Sequence, residues 1–220
     1  MKTAFVTCGA TAPFPQLIDS VLTDHVLTIL NKTWGVQRVV IQHGALYSET
    51  QFKDTVSKVF QDTQYTSAKD NSECRELGCP SLTSAHVTTT VGNSLYLVGI
   101  AYSSQVTTIL SNADTVVAIA HAGTGSILDA FGAQVPLCVV PNPYLQDNHQ
   151  QEIAIRLSKM NRLTATERPT SKDLAVALLS LHDHMVNASH MTKDESSHVI
   201  PQALPGPAEF CRLLAQTATE

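Results

Sequence analysis

Charge is scarce in this chain. Charged residues make up 15% of its 220 residues and aromatic ones 5%, with a single tryptophan. No Lys/Arg cluster interrupts a mildly acidic balance of 14 basic against 19 acidic residues, which gives a formal net charge of −5. The electrostatic footprint of a nucleic-acid-binding surface is therefore missing, and so is the polybasic patch that anionic lipid attracts. Long apolar runs are absent as well, and nothing approaches the roughly 18 residues of a membrane span. The stretch Ala4–Val6 behind Met1-Lys2 falls short of the roughly 7–15 residues of a signal-peptide core, although Ala10-Thr11-Ala12 resembles a cleavage site. Without a secretory route, the sequons Asn31-Lys32-Thr33 and Asn187-Ala188-Ser189 carry no weight. Five cysteines (Cys8, Cys74, Cys79, Cys138 and Cys211) are an odd, irregularly spaced set. They read as reduced thiols of a cytosolic protein rather than a disulfide framework.

Several catalytic signatures are missing too. There is no Gly-x-Ser-x-Gly elbow and no His-Glu-x-x-His, so hydrolase and zincin chemistry has no anchor. No Asp-x-Asp occurs, so no carboxylate pair is at hand to hold a metal–diphosphate. If a diphosphate binds, helix N-termini and hydroxyls must carry its charge, without a metal.

What remains is a chain that folds. Hydrophobic residues reach 43% and the mean hydropathy is +0.02, outside the range of disordered sequences. The length suits one large domain, or one domain with an appendage. Short β-rich runs alternate with helix-period segments, the pattern of a parallel α/β sheet. Thr3–Thr7, Arg38–Gln42, Thr115–Ala120 and Leu137–Val140 are continuous apolar-leaning runs of the doubly buried kind. His86–Val91 and Leu95–Val98 flank Gly92-Asn93 and predict a hairpin.

Between the strands, Ile18, Val21, Leu22, His25 and Ile29 keep one helical face. Ser48 with Gln51 forms a capping box ahead of Phe52, Val56, Val59 and Phe60. Ser103 or Ser104 caps a helix carrying Val106, Ile109, Leu110 and Ala113. Further helices are expected around Ile127–Phe131, over Gln150–Arg162, and from Thr170 through Leu174, Ala177, Leu178 and Leu181. Residues 61–85 read as a long surface loop. The domain is thus expected over residues 1–181. A polar, His-rich linker (182–206) containing His182, His184, His190 and His198 follows, and then a C-terminal amphipathic helix (207–220) with Phe210, Leu213 and Leu214 on one face. The histidine spacing fits no zinc signature, so this stretch reads as a solvated tail with no metal.

Ligands of an open parallel sheet bind beyond the carboxyl ends of its strands. Two loops there suit an anion. One is Thr7-Cys8-Gly9-Ala10-Thr11, after the first strand; the other is His121-Ala122-Gly123-Thr124-Gly125-Ser126, after Thr115–Ala120. Glycines admit close backbone approach, and the following helix offers free N–H groups. The second loop lacks the third glycine of the dinucleotide fingerprint and the lysine of a P-loop, so on its own it also fits a tight turn without ligand. Asp129, one turn into the next helix, suits either the hydroxyls of a ribose or the helix dipole. Asp147-Asn148-His149-Gln150-Gln151-Glu152 suits a sugar or a polar helix cap. Taken together, three such loops on one sheet edge describe a site for a nucleotide sugar.

FVTCGAT, HAGTGSILDA and DNHQQEIA, in that order, resemble the cytosolic donor-binding subunit family of the two-subunit UDP-N-acetylglucosamine transferase of dolichol-linked oligosaccharide synthesis. That family is similar in turn to the C-terminal half of the bacterial lipid II-forming transferase. The resemblance covers roughly residues 3 to 180 and is strongest over Ala120–Ala154. It implies a Rossmann-like α/β donor domain, one half of a two-domain glycosyltransferase, whose acceptor half is a membrane-anchored partner chain at the cytosolic face of the endoplasmic reticulum. Position by position, it implies that Thr7, Gly9 and Thr11 form one phosphate-side loop and Gly123, Thr124, Gly125 and Ser126 the other. Asp129 stands where a Glu usually binds the ribose. Gln150 and Gln151, with Asp147 and Asn148 beside them, face the hexose, and Tyr102 and Ser103 border the uracil. Ala122 replaces a frequent Gly, and Asp114–His121 is longer than usual by about two residues. The implied reaction is inverting transfer from UDP-GlcNAc to GlcNAc-diphospho-dolichol without a cofactor. No general base is assigned: His121 lies near the phosphates, and the partner is the other source. The rival readings are a non-catalytic nucleotide-binding or scaffold subunit and an NAD-dependent oxidoreductase, the latter without its glycine fingerprint.

Overall fold

Runs such as TAFVT and RVVIQ are buried along their whole length, so each must be covered on both faces. In the computed structural model, which describes residues 1–9, 13–143, 149–159 and 163–191, helices supply that cover. In chain order the elements are β1 (Thr3–Thr7), α1 (Pro15–Val21), α2 (Asp24–Lys32), β2 (Arg38–Gln42), α3 (Glu49–Val59), β3 (Tyr65–Lys69), α4 (Ser72–Leu77) and β4 (Ser81–Thr88). They continue with β5 (Ser94–Ile100), α5 (Val106–Ser111), β6 (Thr115–His121), α6 (Thr124–Gly132), β7 (Leu137–Val140), α7 (His149–Lys159), β8 (Thr164–Ala165) and α8 (Ser171–Met191).

One eight-stranded sheet runs in the order β3-β4-β5-β2-β1-β6-β7-β8. From β5 to β8 every neighbour is parallel, whereas β4 is antiparallel to both β5 and β3. The expected α/β architecture holds, with an antiparallel hairpin extending one edge. Side chains alternate across the strands. Ala4, Val6, Ile41 and Ile119 face a core with α1, α2, α3 and α8, while Phe5, Val40, Ala118 and Val139 face α4, α5, α6 and α7. The pairing of β1 with β6 shifts register between Thr3 and Ala4, which pair with Thr115 and Val117. This bulge takes up Val116, one residue of the long Asp114–His121 segment.

Four expectations need correction. Residues 61–85 are no loop: they hold β3, α4 and the start of β4. β3 is an edge strand with no fully buried residue, so it carries no apolar run to read. α4 is framed by Asn71, whose Oδ1 accepts the Cys74 N–H at 2.7 Å, and by left-handed Gly78. Arg38 ties α4 to the sheet by donating to Glu76 at 2.8 Å and Glu73 at 3.0 Å.

The single stripe Ile18–Ile29 is two helices, because Thr23 caps α2 by accepting the Val26 N–H at 3.3 Å. His25 is consequently exposed, and Val26 and Leu27 point inward. The helix beginning after Thr170 does not stop at Leu181 but continues to Met191, so a linker from 182 is not what the chain forms there. Nor is His182 a solvated tail residue, since its ring meets Trp34 edge-on at 5.2 Å between centroids. The C-terminal helix expected over 207–220 and the rest of the linker lie outside the described residues. Among the described residues, no helix is long and apolar enough to cross a membrane.

Candidate functional site

The chain leaves β1 toward β2 and β5, then returns to place β6 on the other side of β1. A crevice therefore opens at the carboxyl ends of β1 and β6, where the strand order reverses. Both glycine loops meet there.

After β1, the Thr7 hydroxyl accepts the Gly9 N–H at 3.0 Å and turns the backbone through Gly9 at φ 76°. At the end of β6, the His121 imidazole fills the space between the loops. A Cβ on Gly9 would lie 2.5 Å from His121 Cε1, and one on Gly123 would lie 2.2 Å from Nε2. Neither glycine can carry a side chain while the ring stays in place. Burial holds the His121 pKa below its ordinary value against a weaker opposing pull from the Thr7 carbonyl, so the ring is neutral near pH 7. Its Nδ1 is buried and meets no hydrogen-bond partner among the described residues.

Gly123 caps α6 without a side-chain bond, and the first helical bond runs from the Ile127 N–H to the Gly123 carbonyl at 3.1 Å. The N–H groups of Thr124, Gly125 and Ser126 are thus left without intrahelical partners. No acidic residue occupies that first turn, Thr124 and Gly125 are exposed, and open space lies beside Gly125. This is a ready anion site. Asp129 follows Gly125 and Ser126 at the i+4 and i+3 spacings that share a helical face. It is half-buried, and burial alone raises its carboxyl pKa. No cation or hydrogen-bond donor among the described residues meets it, which is the opposite of a residue kept for a structural ion pair.

Sequence reading missed the link between this crevice and β5. Gln42, at the end of β2 and 3% exposed, donates from Nε2 to Thr7 Oγ1 at 3.2 Å and accepts the Ser103 N–H on Oε1 at 3.1 Å. One amide thereby braces two loops. Ser103 itself is buried: its hydroxyl donates to the Leu77 carbonyl at 2.6 Å and accepts the Gln105 N–H at 2.9 Å. Its bonds hold the loop's shape, and Tyr102, 53% exposed, is the side chain that segment presents. His43 and Asn142 are likewise buried at strand ends. The Nδ1 of His43 lies 2.9 Å from the Gly44 carbonyl, the ring packs on Tyr47 and Phe52, and burial lowers its pKa. The missed signal was a polar residue closing each apolar run.

The structure thus gathers Thr7, Gly9, His121, Gly123, Thr124, Gly125, Ser126 and Asp129 around the β1–β6 crevice. Tyr102 and Ser103 sit two strands away, joined through Gln42. Gln151 is exposed in the first turn of α7, on the β7 side. Thr11, Asp147, Asn148 and the Gln150 side chain lie outside what is described. Among the described residues no three His, Cys, Asp or Glu side chains converge as metal ligands. Cys8 is packed away from the crevice at 2% exposure: burial pushes its thiol up to about 12, and its S–H donates to the Phe14 carbonyl at 3.6 Å.

The glycosyltransferase family 28 C-terminal domain matches residues 81–203. The UDP-N-acetylglucosamine transferase subunit ALG13 of Candida glabrata is 34% identical over 196 residues, which are 87% of this chain and 93% of that protein. Its Saccharomyces cerevisiae namesake is 35% identical over 177 residues, 80% of this chain and 83% of the other. An NMR solution structure of ALG13, 31% identical, superposes with a TM-score of 0.62 over 100% of this chain and 98% of that one.

Proposed function

The chain belongs to the glycosyltransferase family 28 C-terminal domain family and, within it, to the ALG13 transferase subunits, and from that premise we propose that it is the donor-binding half of a UDP-N-acetylglucosamine transferase. The observation that carries this reading is the uncapped α6 N-terminus, set across the β1–β6 crevice from the Gly9 loop with the neutral His121 ring between them.

The diphosphate of UDP-GlcNAc binds at these loops, and Asp129 accepts from the ribose hydroxyls. Gln150 and Gln151, with Asp147 and Asn148, serve the hexose, and Tyr102 borders the uracil. The 4-hydroxyl of N-acetylglucosaminyl-diphospho-dolichol attacks the anomeric carbon with inversion, and UDP departs. Charge builds on the leaving diphosphate, where the oriented N–H groups of α6 stabilise it without reorganising. His121, uncharged and wedged under both loops, sets their spacing. The general base comes from groups brought to the acceptor side. A membrane-anchored partner supplies the acceptor site and holds this subunit at the cytosolic face of the endoplasmic reticulum, giving the second step of lipid-linked oligosaccharide synthesis.

Helix N–H groups and hydroxyls compensate the diphosphate charge in this reading, so no metal is required. Calorimetric titration of UDP-GlcNAc into the full chain tests it. Binding is expected to survive EDTA and to exceed that of UDP-glucose. Affinity that collapses with EDTA contradicts metal-independent binding, and preference for NAD contradicts the donor assignment.

A further inference from the structure

α4 ends in a Schellman motif. Gly78 takes the left-handed conformation, its N–H bonds the Arg75 carbonyl at 3.3 Å, and the Cys79 N–H bonds the Cys74 carbonyl at 2.9 Å. Such a motif brings the side chains before and after the turn into contact, ordinarily as an apolar pair. Here both are cysteines. Cys74 is 1% and Cys79 8% exposed, and both belong to one buried cluster. The Cys74 thiol donates to the Ala68 carbonyl at 3.7 Å, and it lies near enough to Cys79 to help push that thiol's pKa up. The 6→1 bond draws the two backbones together, and a disulfide requires such an approach, with Cα atoms roughly 4.4–6.8 Å apart.

We propose that Cys74 and Cys79 are an oxidative modification site that closes to an intramolecular disulfide when a peroxide reaches it. Cys79, the more exposed, reacts first. Its thiolate sulfur attacks one peroxide oxygen, the O–O bond breaks, and the departing hydroxide takes up a proton as water, leaving a sulfenic acid. The Cys74 sulfur then attacks the Cys79 sulfur. The S–S bond forms, the S–O bond breaks, and hydroxide leaves with the Cys74 proton as a second water. Two thiols and one peroxide become one disulfide and two waters. The step is slow at neutral pH, because burial, then Cys74 and Glu73, push the Cys79 thiol up to about 12.

The bridge lies directly beneath a loop at the proposed site. The Gly78 carbonyl accepts the Ser104 N–H at 2.9 Å and its hydroxyl at 3.1 Å, and the Leu77 carbonyl accepts the Ser103 hydroxyl at 2.6 Å. Cross-linking across the turn fixes those carbonyls and tightens the segment that carries Tyr102.

The test treats the full chain with hydrogen peroxide at mildly alkaline pH, alkylates it, and maps it by mass spectrometry. Trypsin cuts after Arg75, so the bridge joins two peptides. The expected result is a Cys74–Cys79 cross-link that disappears in Cys74→Ser and in Cys79→Ser. Oxidation of Cys79 to a sulfinic acid beside a free Cys74, or cross-links only to Cys138 or Cys211, would overturn the assignment. Hydrogen exchange provides the second readout: the Ser104 amide is expected to exchange severalfold more slowly after oxidation. Unchanged exchange in cross-linked protein would overturn the coupling to the loop.

Discussion

Asp129→Asn is expected to lower the affinity for UDP-GlcNAc about ten- to a hundredfold, the effect of losing hydrogen bonds to a charged acceptor. The fold should not suffer. Burial raises the Asp129 carboxyl pKa and nothing among the described residues neutralises it, so the folded chain resists ionisation more than the unfolded chain does. In the window between the ordinary carboxylate pKa and the raised one, the folded state holds more protons, and stability falls as pH rises through that window. Near pH 7 the ionised carboxylate therefore destabilises the fold. The neutral amide relieves this, and the thermal midpoint should stay level or rise. Titration and thermal melting at pH 7 check both halves. Wild-type donor affinity would remove Asp129 from the site, and a large fall in melting temperature would make its role structural.

Gln42→Met is expected to damage stability and donor binding together. Methionine matches glutamine in length and bulk but leaves Thr7 Oγ1 and the Ser103 N–H without their partner in a site only 3% exposed. Stranding the buried Ser103 N–H costs about 1–3 kcal/mol, while Thr7 Oγ1 keeps the Gly9 N–H and loses its second donor. Because Thr7 shapes the Gly9 turn and Ser103 shapes the segment after β5, both loops lose their common reference. In assays with the proposed acceptor-binding partner, the KM for UDP-GlcNAc should rise severalfold while the KM for the acceptor stays unchanged. Equal changes in both would point to general loosening of the chain, and unchanged stability would contradict the brace itself.

How much of this was legible in the sequence follows from what each element needs. β1, β2 and β7 fall on the expected residues, because a doubly buried strand must be apolar throughout and its ends are abrupt. The capping box at Ser48 and Gln51 holds, with bonds of 2.7 and 3.1 Å, because both partners lie within one turn. β3 and α4 were invisible to hydrophobic pattern: one is an exposed edge strand, the other a six-residue helix whose signal is its caps, Asn71 and Gly78. The stripe from Ile18 to Ile29 hid a break because the period of a second helix can run on from the first, and only Thr23-Asp24 marked the new start.

In the site, the two glycine loops could be placed from strand ends alone. The reason their glycines are needed could not, because His121 fills the space for both only once β1 and β6 are neighbours. Gln42 escaped for the same reason, since its partners are 35 and 61 residues away.

The central claim is that UDP-GlcNAc binds where the Gly9 loop and the α6 N-terminus meet. Amide chemical-shift mapping of the isotope-labelled chain during UDP-GlcNAc titration tests it most directly. The largest changes should fall on Gly9 and on Thr124, Gly125 and Ser126, with smaller ones reaching Tyr102 and Ser103. Changes concentrated instead at the opposite edge of the sheet, around Arg38 and Asp114, would contradict the account.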